Sequence, residues 1–350
     1  MSQNKNKFKD RINNLDRNIW EFVARIDETK GRWSASAQLT PSILTTLRQS
    51  VLISSTGSST RIEGSQLSDE EVERVIRGLS VTRFRDRDVQ EVKGYFELLP
   101  SIFDSYQTLA LREGVIKHLH QELLKYSKKD ELHRGNYKQT ENFVGLKDEQ
   151  NEVRHIIFET TRPFLVQKEM TEIVECTYQE LAKKELHPLL VTGNFLIEFL
   201  KIHPFEDGNG RLSRILTNML LLRAGYLYMP YISHEQIIER RKEEYYLALR
   251  RSQQTFGTDR ETIEPWLRFF LEVIEEQGTR ALALLEAKYL EDSLSQKQLD
   301  IWNYISNSEE RSIGEIVKHT GIARPTASQA LEKLLGLGQI KRRGQGRGTR

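Results

Sequence analysis

The sequence predicts an all-α fold with one β-hairpin and a second, smaller basic domain at the C-terminal end. Three observations carry that expectation. Apolar residues recur at helical spacing through most of the 350 residues, in a chain that is 38% hydrophobic and 29% charged with only 21 Gly and 8 Pro. The period shifts to alternation only around residues 143–158. Beyond Ser293 the charge changes sign: Ser293–Arg350 carries ten Lys/Arg against five Asp/Glu, a net of +5, whereas the rest has 42 against 45, a net of −3. A chain of this length exceeds what one core usually organises. The expected divisions are an N-terminal helical region over 1–92, a helical core over 93–280 and a basic domain over 293–350.

In chain order, residues 1–92 read as helical, with breaks at Gly31–Pro41 and at Thr56–Ser59. A helix is expected from Asp88 through Tyr95, Leu98 and Ile102, and another over Leu109–Tyr126, ending in the charged run Lys128–Glu131. Asn142–Gly145 and Val153–Phe158 flank the polar tip Asp148–Asn151, which predicts the hairpin. Helical spacing resumes at Leu165 and is strongest at Leu196, Phe199 and Leu200, then at Leu212, Ile215, Leu216 and Met219.

Composition limits the function classes. Cys176 is the only cysteine, so the chain has neither an internal disulfide nor a multi-cysteine zinc site, and a reducing cytoplasm is the expected compartment. Met1–Lys7 lacks the apolar core of a secretory signal. The most apolar stretches, Leu189–Leu200 and Met219–Tyr228, contain Glu198 and Arg223 and are too short to span a bilayer, so no membrane partner is expected.

The segment richest in chemistry is His203-Pro204-Phe205-Glu206-Asp207-Gly208-Asn209-Gly210-Arg211, followed by Leu212-Ser213-Arg214, between two apolar helices. Pro204 biases His203 away from helical dihedrals, and Gly208-Asn209-Gly210 permits a tight turn into the next helix. A loop opening a helix leaves backbone N–H groups unpartnered, and these bind phosphate. Arg211 and Arg214, three residues apart, are expected to reach the same polyanion. Asp207 offers the hard oxygen that Mg²⁺ takes when it bridges one carboxylate and nucleotide phosphates. His203 is placed to act as a general base on an attacking hydroxyl. The combination predicts phosphoryl or nucleotidyl transfer.

HPFEDGNGR resembles the signature loop of Fic-domain proteins, H-P-F-x-[D/E]-G-N-G-R, at every position, and Arg214 completes its longer form. Further similarity at His187–Leu190, the hairpin, Tyr245-Tyr246 and Trp266–Phe270 extends the resemblance over most of residues 40–275. It implies a helical core with a hairpin flap, and transfer of AMP from Mg-ATP to a Tyr, Ser or Thr hydroxyl of a target protein or of the chain itself, releasing pyrophosphate. By that resemblance His203 is the catalytic base and Asp207 the Mg²⁺ ligand. Gly208, Asn209 and Gly210 stabilise the charge on the α-phosphate, and Arg211 and Arg214 hold the outer phosphates. The flap, lined by Phe143 and Val153–Phe158, pins the target as an added strand, and Tyr246 is a candidate adenine contact and equally a candidate core aromatic. Thr160-Thr161-Arg162-Pro163 departs from the proline pair common after the flap. Transfer of UMP, GMP or phosphate, a DNA-binding regulator using the Fic core as a nucleotide sensor, and a homodimer all stay open.

Ser59-Thr60-Arg61-Ile62-Glu63-Gly64 has two readings. On its residues alone it is a capped helix start, with Ser58 or Ser59 at the N-cap and Glu63 in the first turn. It also resembles the family's inhibitory motif, [S/T]-x-x-x-E-[G/N], which implies that Ser59, Glu63 and Gly64 form a brake in which Glu63 pairs with Arg214 and displaces the γ-phosphate.

The basic domain resembles a winged helix-turn-helix: a first helix over Gln296–Ile305, a short one capped by Ser312, a turn at Thr320-Gly321, a third helix over Pro325–Leu335 and a Gly-rich tip at 344–348. Winged helices serve protein contacts as well as DNA; duplex DNA, as one of the two candidate partners, is met by Arg324, Thr326, Ser328 and Gln329 in the groove and by Arg342, Arg343 and Arg347 on phosphates.

Overall fold

The computed structural model describes residues 7–13, 15–36, 41–79, 86–147, 153–306, 310–336 and 339–343. The chain divides into two compact units, Met1–Leu282 and Ala283–Arg350.

The first unit contains α1 (Lys7–Asn13), α2 (Arg17–Ser36), α3 (Pro41–Ile62), α4 (Asp69–Ile76), α5 (Asp86–Ser105), α6 (Glu113–Leu123), α7 (Pro163–Lys183), α8 (Pro188–Ile202), α9 (Asn209–Arg223), α10 (His234–Arg240) and α11 (Lys242–Gln253), and the division falls within α12 (Glu264–Ser293). Strands β1 (Phe143–Lys147) and β2 (Val153–Glu159) pair antiparallel, Phe143 opposite Glu159 and Lys147 opposite Val153, with two irregularities in register. The polar tip at 148–152 lies outside the described residues.

Helices α8 and α9 form the centre, and nearly every residue on both is buried. A helix apolar on all sides has to be wrapped by others, and α7, α11, α5 and α3 do so. Pro188 at the first turn and the His187 ring accepting from the Leu189 N–H start α8. Pro204 ends it, because His203 is turned into the left-handed region at φ 50°.

The break expected over Gly31–Pro41 narrows to the junction of two helices: Gly31 through Ser36 continue α2, α3 starts at Pro41, and 37–40 lie outside the described residues. The break expected at Thr56–Ser59 is absent, because α3 runs unbroken to Ile62. The polar run persists as helix because Thr56 and Thr60 turn their hydroxyls back onto the Leu52 and Thr56 carbonyls. Their small size lets α3 press against its neighbours, so Ser55, Thr56, Ser58, Ser59 and Thr60 are buried. Glu63 accordingly lies just past the last turn of a helix and not in a first turn.

A buried carboxylate, Glu235, joins four segments. It accepts from Ser55 on α3, Tyr95 on α5, Asn218 on α9 and Ser233 before α10. Although burial opposes ionisation, His234, the Ser55 and Ser233 hydroxyls and its own backbone N–H hold Glu235 below the usual carboxylate range.

The second unit contains α13 (Gln296–Ser306), α14 (Ile313–Thr320) and α15 (Arg324–Gly336). Ser312 and Glu315 form a reciprocal capping box on α14, and Gly321 closes it at φ 69°. The core consists of Leu294, Ile301, Ile305, Ile316, Ile322, Ala327, Ala330 and Leu334. Residues 339–343 carry no strand, and the Gly-rich tip with Arg347 lies outside the described residues. Among the described residues no helix is long and apolar enough to cross a membrane.

Candidate active site

The loop joining α8 to α9 is fastened from within and from behind. Asn209 turns its side chain back, accepting from the Phe205 N–H at 3.0 Å and donating to the Phe205 carbonyl at 2.8 Å. The buried Phe205 ring stacks on His120 of α6 at 3.7 Å. The Gly135 N–H donates to His120 Nδ1 at 2.8 Å, so the proton sits on Nε2, which donates to the Asp207 carbonyl at 2.9 Å. Burial lowers the His120 imidazole to about 4, which keeps this strut neutral.

His203 Nδ1 lies 3.3 Å from the Leu200 carbonyl, which can only accept, so Nδ1 carries the proton and Nε2 the lone pair. Burial outweighs the help of that carbonyl and lowers His203 to about 4, with the Lys138 ammonium adding to the effect. The ring is therefore an uncharged base near neutral pH.

The left-handed Gly208, at φ 83°, opens α9. Its own N–H is taken by Asp207 Oδ1 at 2.6 Å, which corrects the expectation that it faces a phosphate. The first-turn amides of Asn209, Gly210 and Arg211 lack intrahelical acceptors by the geometry of a helix start and remain for an anion.

Arg211 and Arg214 do not converge, contrary to the sequence expectation. Arg211 is fully buried, with one nitrogen 3.0 Å from Asp207 Oδ1 and another 3.2 Å from Glu91. Arg87 closes a ring, 2.7 Å from Glu91 and 3.0 Å from Asp207 Oδ2. The buried carboxylate of Glu91, on α5, draws Arg211 away from Arg214. Burial works against an ionised Asp207, but Arg211, Arg87 and the Gly208 N–H outweigh it and hold the carboxyl down to about 2. An oxygen so firmly ionised fits a hard divalent cation whose other ligands are phosphate oxygens and water. Arg87, with Lys129 at 3.9 Å, stands on Asp207 Oδ2. Among the described residues no group of three His, Cys, Asp or Glu could hold a metal without a nucleotide.

Arg214 faces α3 instead. Its Nε donates to Ser59 Oγ at 2.8 Å, and Nη2 donates to the Ser59 carbonyl at 2.9 Å and to Glu63 Oε1 at 2.7 Å. Burial costs this guanidinium its hydration, yet Glu63 raises its pKa above the usual value. The Glu63 carboxylate also presses on the start of α9: a Cβ added at Gly210 would stand 2.1 Å from Glu63 Oε1. Thus an anion of the chain itself occupies the space that glycine leaves open. Gly64 follows at φ 104° and turns the chain away. The Tyr246 hydroxyl, 3.5 Å from the Ile62 carbonyl, borders the same corner.

In the second unit Arg324 and Gln329 are exposed and Thr326 and Ser328 half-buried at the start of α15. Arg342 is exposed, whereas Arg343 pairs with Glu310 at 2.6 Å. Sequence reasoning missed Arg87, Glu91, His120 and Lys138. Each is distant along the chain, and a lone charge or imidazole on a helix or loop carries no local signal of what it will meet.

Residues 110–221 match the Fic/DOC family model, and residues 295–342 match that of the bacterial regulatory protein, arsR family. A Fido domain-containing protein of Dictyostelium discoideum is 33% identical over 100 residues, 29% of this chain and 66% of that protein. A protein named protein adenylyltransferase Fic, of Drosophila melanogaster, is 36% identical over 91 residues, 26% of this chain and only 16% of the fly protein. Among solved structures, a Fic family protein from Desulfovibrio desulfuricans superposes with a TM-score of 0.63 at 24% identity, covering 96% of this chain and 95% of that one. A Fic domain-containing signalling protein from Bacteroides thetaiotaomicron gives 0.62 at 22% identity over 75% and 97% of the two chains. These two share the fold. With the signature loop between α8 and α9, residues 110–221 form a Fic/DOC domain, and a helix-turn-helix region of the arsR type follows it.

Proposed function

We propose that this chain is a protein adenylyltransferase, held in check by Glu63, that moves AMP from Mg-ATP to a Tyr, Ser or Thr hydroxyl of a target protein or of itself. The observation that carries the reading is the uncharged His203, its Nε2 unprotonated, on the loop that opens the anion site of α9. Relatives named adenylyltransferases agree with it.

His203 Nε2 takes the proton of the attacking hydroxyl as the O–Pα bond forms, and the Pα–O bond to the β-phosphate breaks to release pyrophosphate. The amides of Asn209 and Gly210 face the charge growing on the α-phosphate, and Arg214 holds the outer phosphates. Arg211 orients Asp207 from behind. Mg²⁺, held by Asp207, would neutralise phosphate charge. Strands β1 and β2 hold the target backbone as an added strand, and Tyr246 borders the adenine. Glu63 opposes all this by occupying Arg214 and the space above Gly210 with negative charge, which turns the α-phosphate out of line.

The test is label transfer in the Glu63→Gly chain with ATP labelled at the α- or the γ-phosphate. The reading expects protein-bound label from the α-position only, and its loss in Glu63→Gly/His203→Ala while ATP binding changes less than about tenfold. Label from the γ-position would instead establish phosphate transfer.

A second reading concerns the basic unit. Exposed Arg324 and Gln329 at the start of α15, with exposed Arg342 beyond it, suit duplex DNA, which would make this a DNA-linked enzyme of a reducing cytoplasm.

A further inference from the structure

Lys138 lies between α6 and β1, and its side chain is 1% exposed. A lysine is seldom buried unless a carboxylate accompanies it, yet here all three acceptors are neutral. Its Nζ donates to Asn142 Oδ1 and Thr160 Oγ1, both at 2.7 Å, and to the Ile202 carbonyl at 3.3 Å. Burial lowers this amine to about 8, a measure of what its position costs.

The partners explain why a charge is kept there. Asn142 is the residue before β1 and Thr160 the residue after β2, so the ammonium ties the two ends of the hairpin. Thr160 Oγ1 also lies 2.7 Å from the Asn142 carbonyl, closing the knot. On its other side the group grips the backbone around His203. Besides Nζ on Ile202, the Lys138 N–H donates to the Pro204 carbonyl at 2.8 Å, and Asn142 Nδ2 donates to the Phe205 carbonyl at 3.0 Å. Three carbonyls, one before and two after His203, are thereby fixed, and His203 itself is the residue forced to φ 50°. Such a backbone conformation persists only where its surroundings over-determine it.

We propose that Lys138 is a positioning residue for the transfer reaction, its buried ammonium setting the base of the hairpin and the backbone of His203 in one fixed relation. A strand pinned on the hairpin then presents its hydroxyl at a constant place relative to Nε2. This inference rests on the adenylyltransferase reading for its chemistry but not for its geometry.

The test compares full-length Glu63→Gly with the same chain carrying Lys138→Met, Lys138→Arg or Thr160→Val. Hydrogen exchange is followed on peptides covering 143–159 and 203–208, and automodification by α-labelled ATP is followed against ATP concentration. Lys138→Met is expected to raise exchange at least about tenfold in both peptides and nowhere else, and to lower the maximal rate about 30-fold with the KM for ATP within about threefold. Lys138→Arg, which keeps charge and donors, should recover part of the rate. Unchanged exchange in either peptide, exchange raised equally through α12, or an unchanged rate would overturn the proposal. Should Lys138→Met not fold, Thr160→Val decides: the same local pattern in smaller degree supports the knot, and no change overturns it. If no protein transfers label, the adenylyltransferase reading fails, while the exchange data still decide the geometry.

Discussion

At the scale of single residues, the site depends on which groups are charged and which are not. A histidine with an ordinary pKa near 6.5 would lose half its base form within the physiological range, but burial lowers His203 to about 4. An imidazolium cannot accept a proton, so if His203 is the base of the proposed transfer, activity is expected to be lost only as the pH falls through about 4. The Glu63→Gly chain should therefore show label transfer that is level from about pH 5.5 to 7 and declines below, whereas a midpoint near 6.5 would contradict the assigned environment. The same shift bears on folding. The unfolded chain binds protons at His120 and His203 that the folded chain refuses, so the stability they confer is complete above about 6.5 and is lost as the pH falls towards 4. Denaturant titrations at pH 7 and pH 5 check the sign, and a chain equally stable at both would disagree. The signature residues were legible because each acts within a few positions of the others. Arg211 was not, because its direction is set by Glu91, 120 positions earlier.

Among the elements, α3 matters most. Its sequence, rich in Ser and Thr around Gly57, looked like a loop because propensity disfavours helix there, and packing against α5, α9 and α10 overrode propensity. The motif at its end was legible by resemblance alone; that it follows a helix and presses a carboxylate on Gly210 is a tertiary fact. Arg61 anchors this end, gripping both oxygens of Glu239 at 2.6 and 3.0 Å and the Leu67 carbonyl at 2.9 Å. Arg61→Ala should cost about 1–2 kcal/mol of stability and loosen Glu63, giving label transfer between that of the wild type and of Glu63→Gly. Thermal unfolding and the transfer assay check both parts. An Arg61→Ala chain as stable as the wild type would show that the pair does not hold the helix end.

On the scale of the whole molecule, the charge step beyond Ser293 and the capping signal at Ser312 made the helix-turn-helix legible, since caps and charge are local properties. Removing residues 294–350 should leave automodification intact and abolish salt-sensitive binding to duplex DNA, measured by fluorescence anisotropy at 50 and 200 mM salt. Absence of binding by the full chain at 50 mM would refute the groove-reading role of Arg324 and Gln329. The central claim, however, joins one carboxylate to one guanidinium across 151 positions of sequence. If Glu63 keeps Arg214 from the γ-phosphate, full-length Glu63→Gly should incorporate α-labelled AMP about 100-fold faster than the wild type at saturating ATP. Adding Arg214→Ala should cancel most of that gain, because the freed position has no cation to offer. Equal incorporation by the wild type and Glu63→Gly across all ATP concentrations would contradict the account and leave Glu63 as the end of a helix and nothing more.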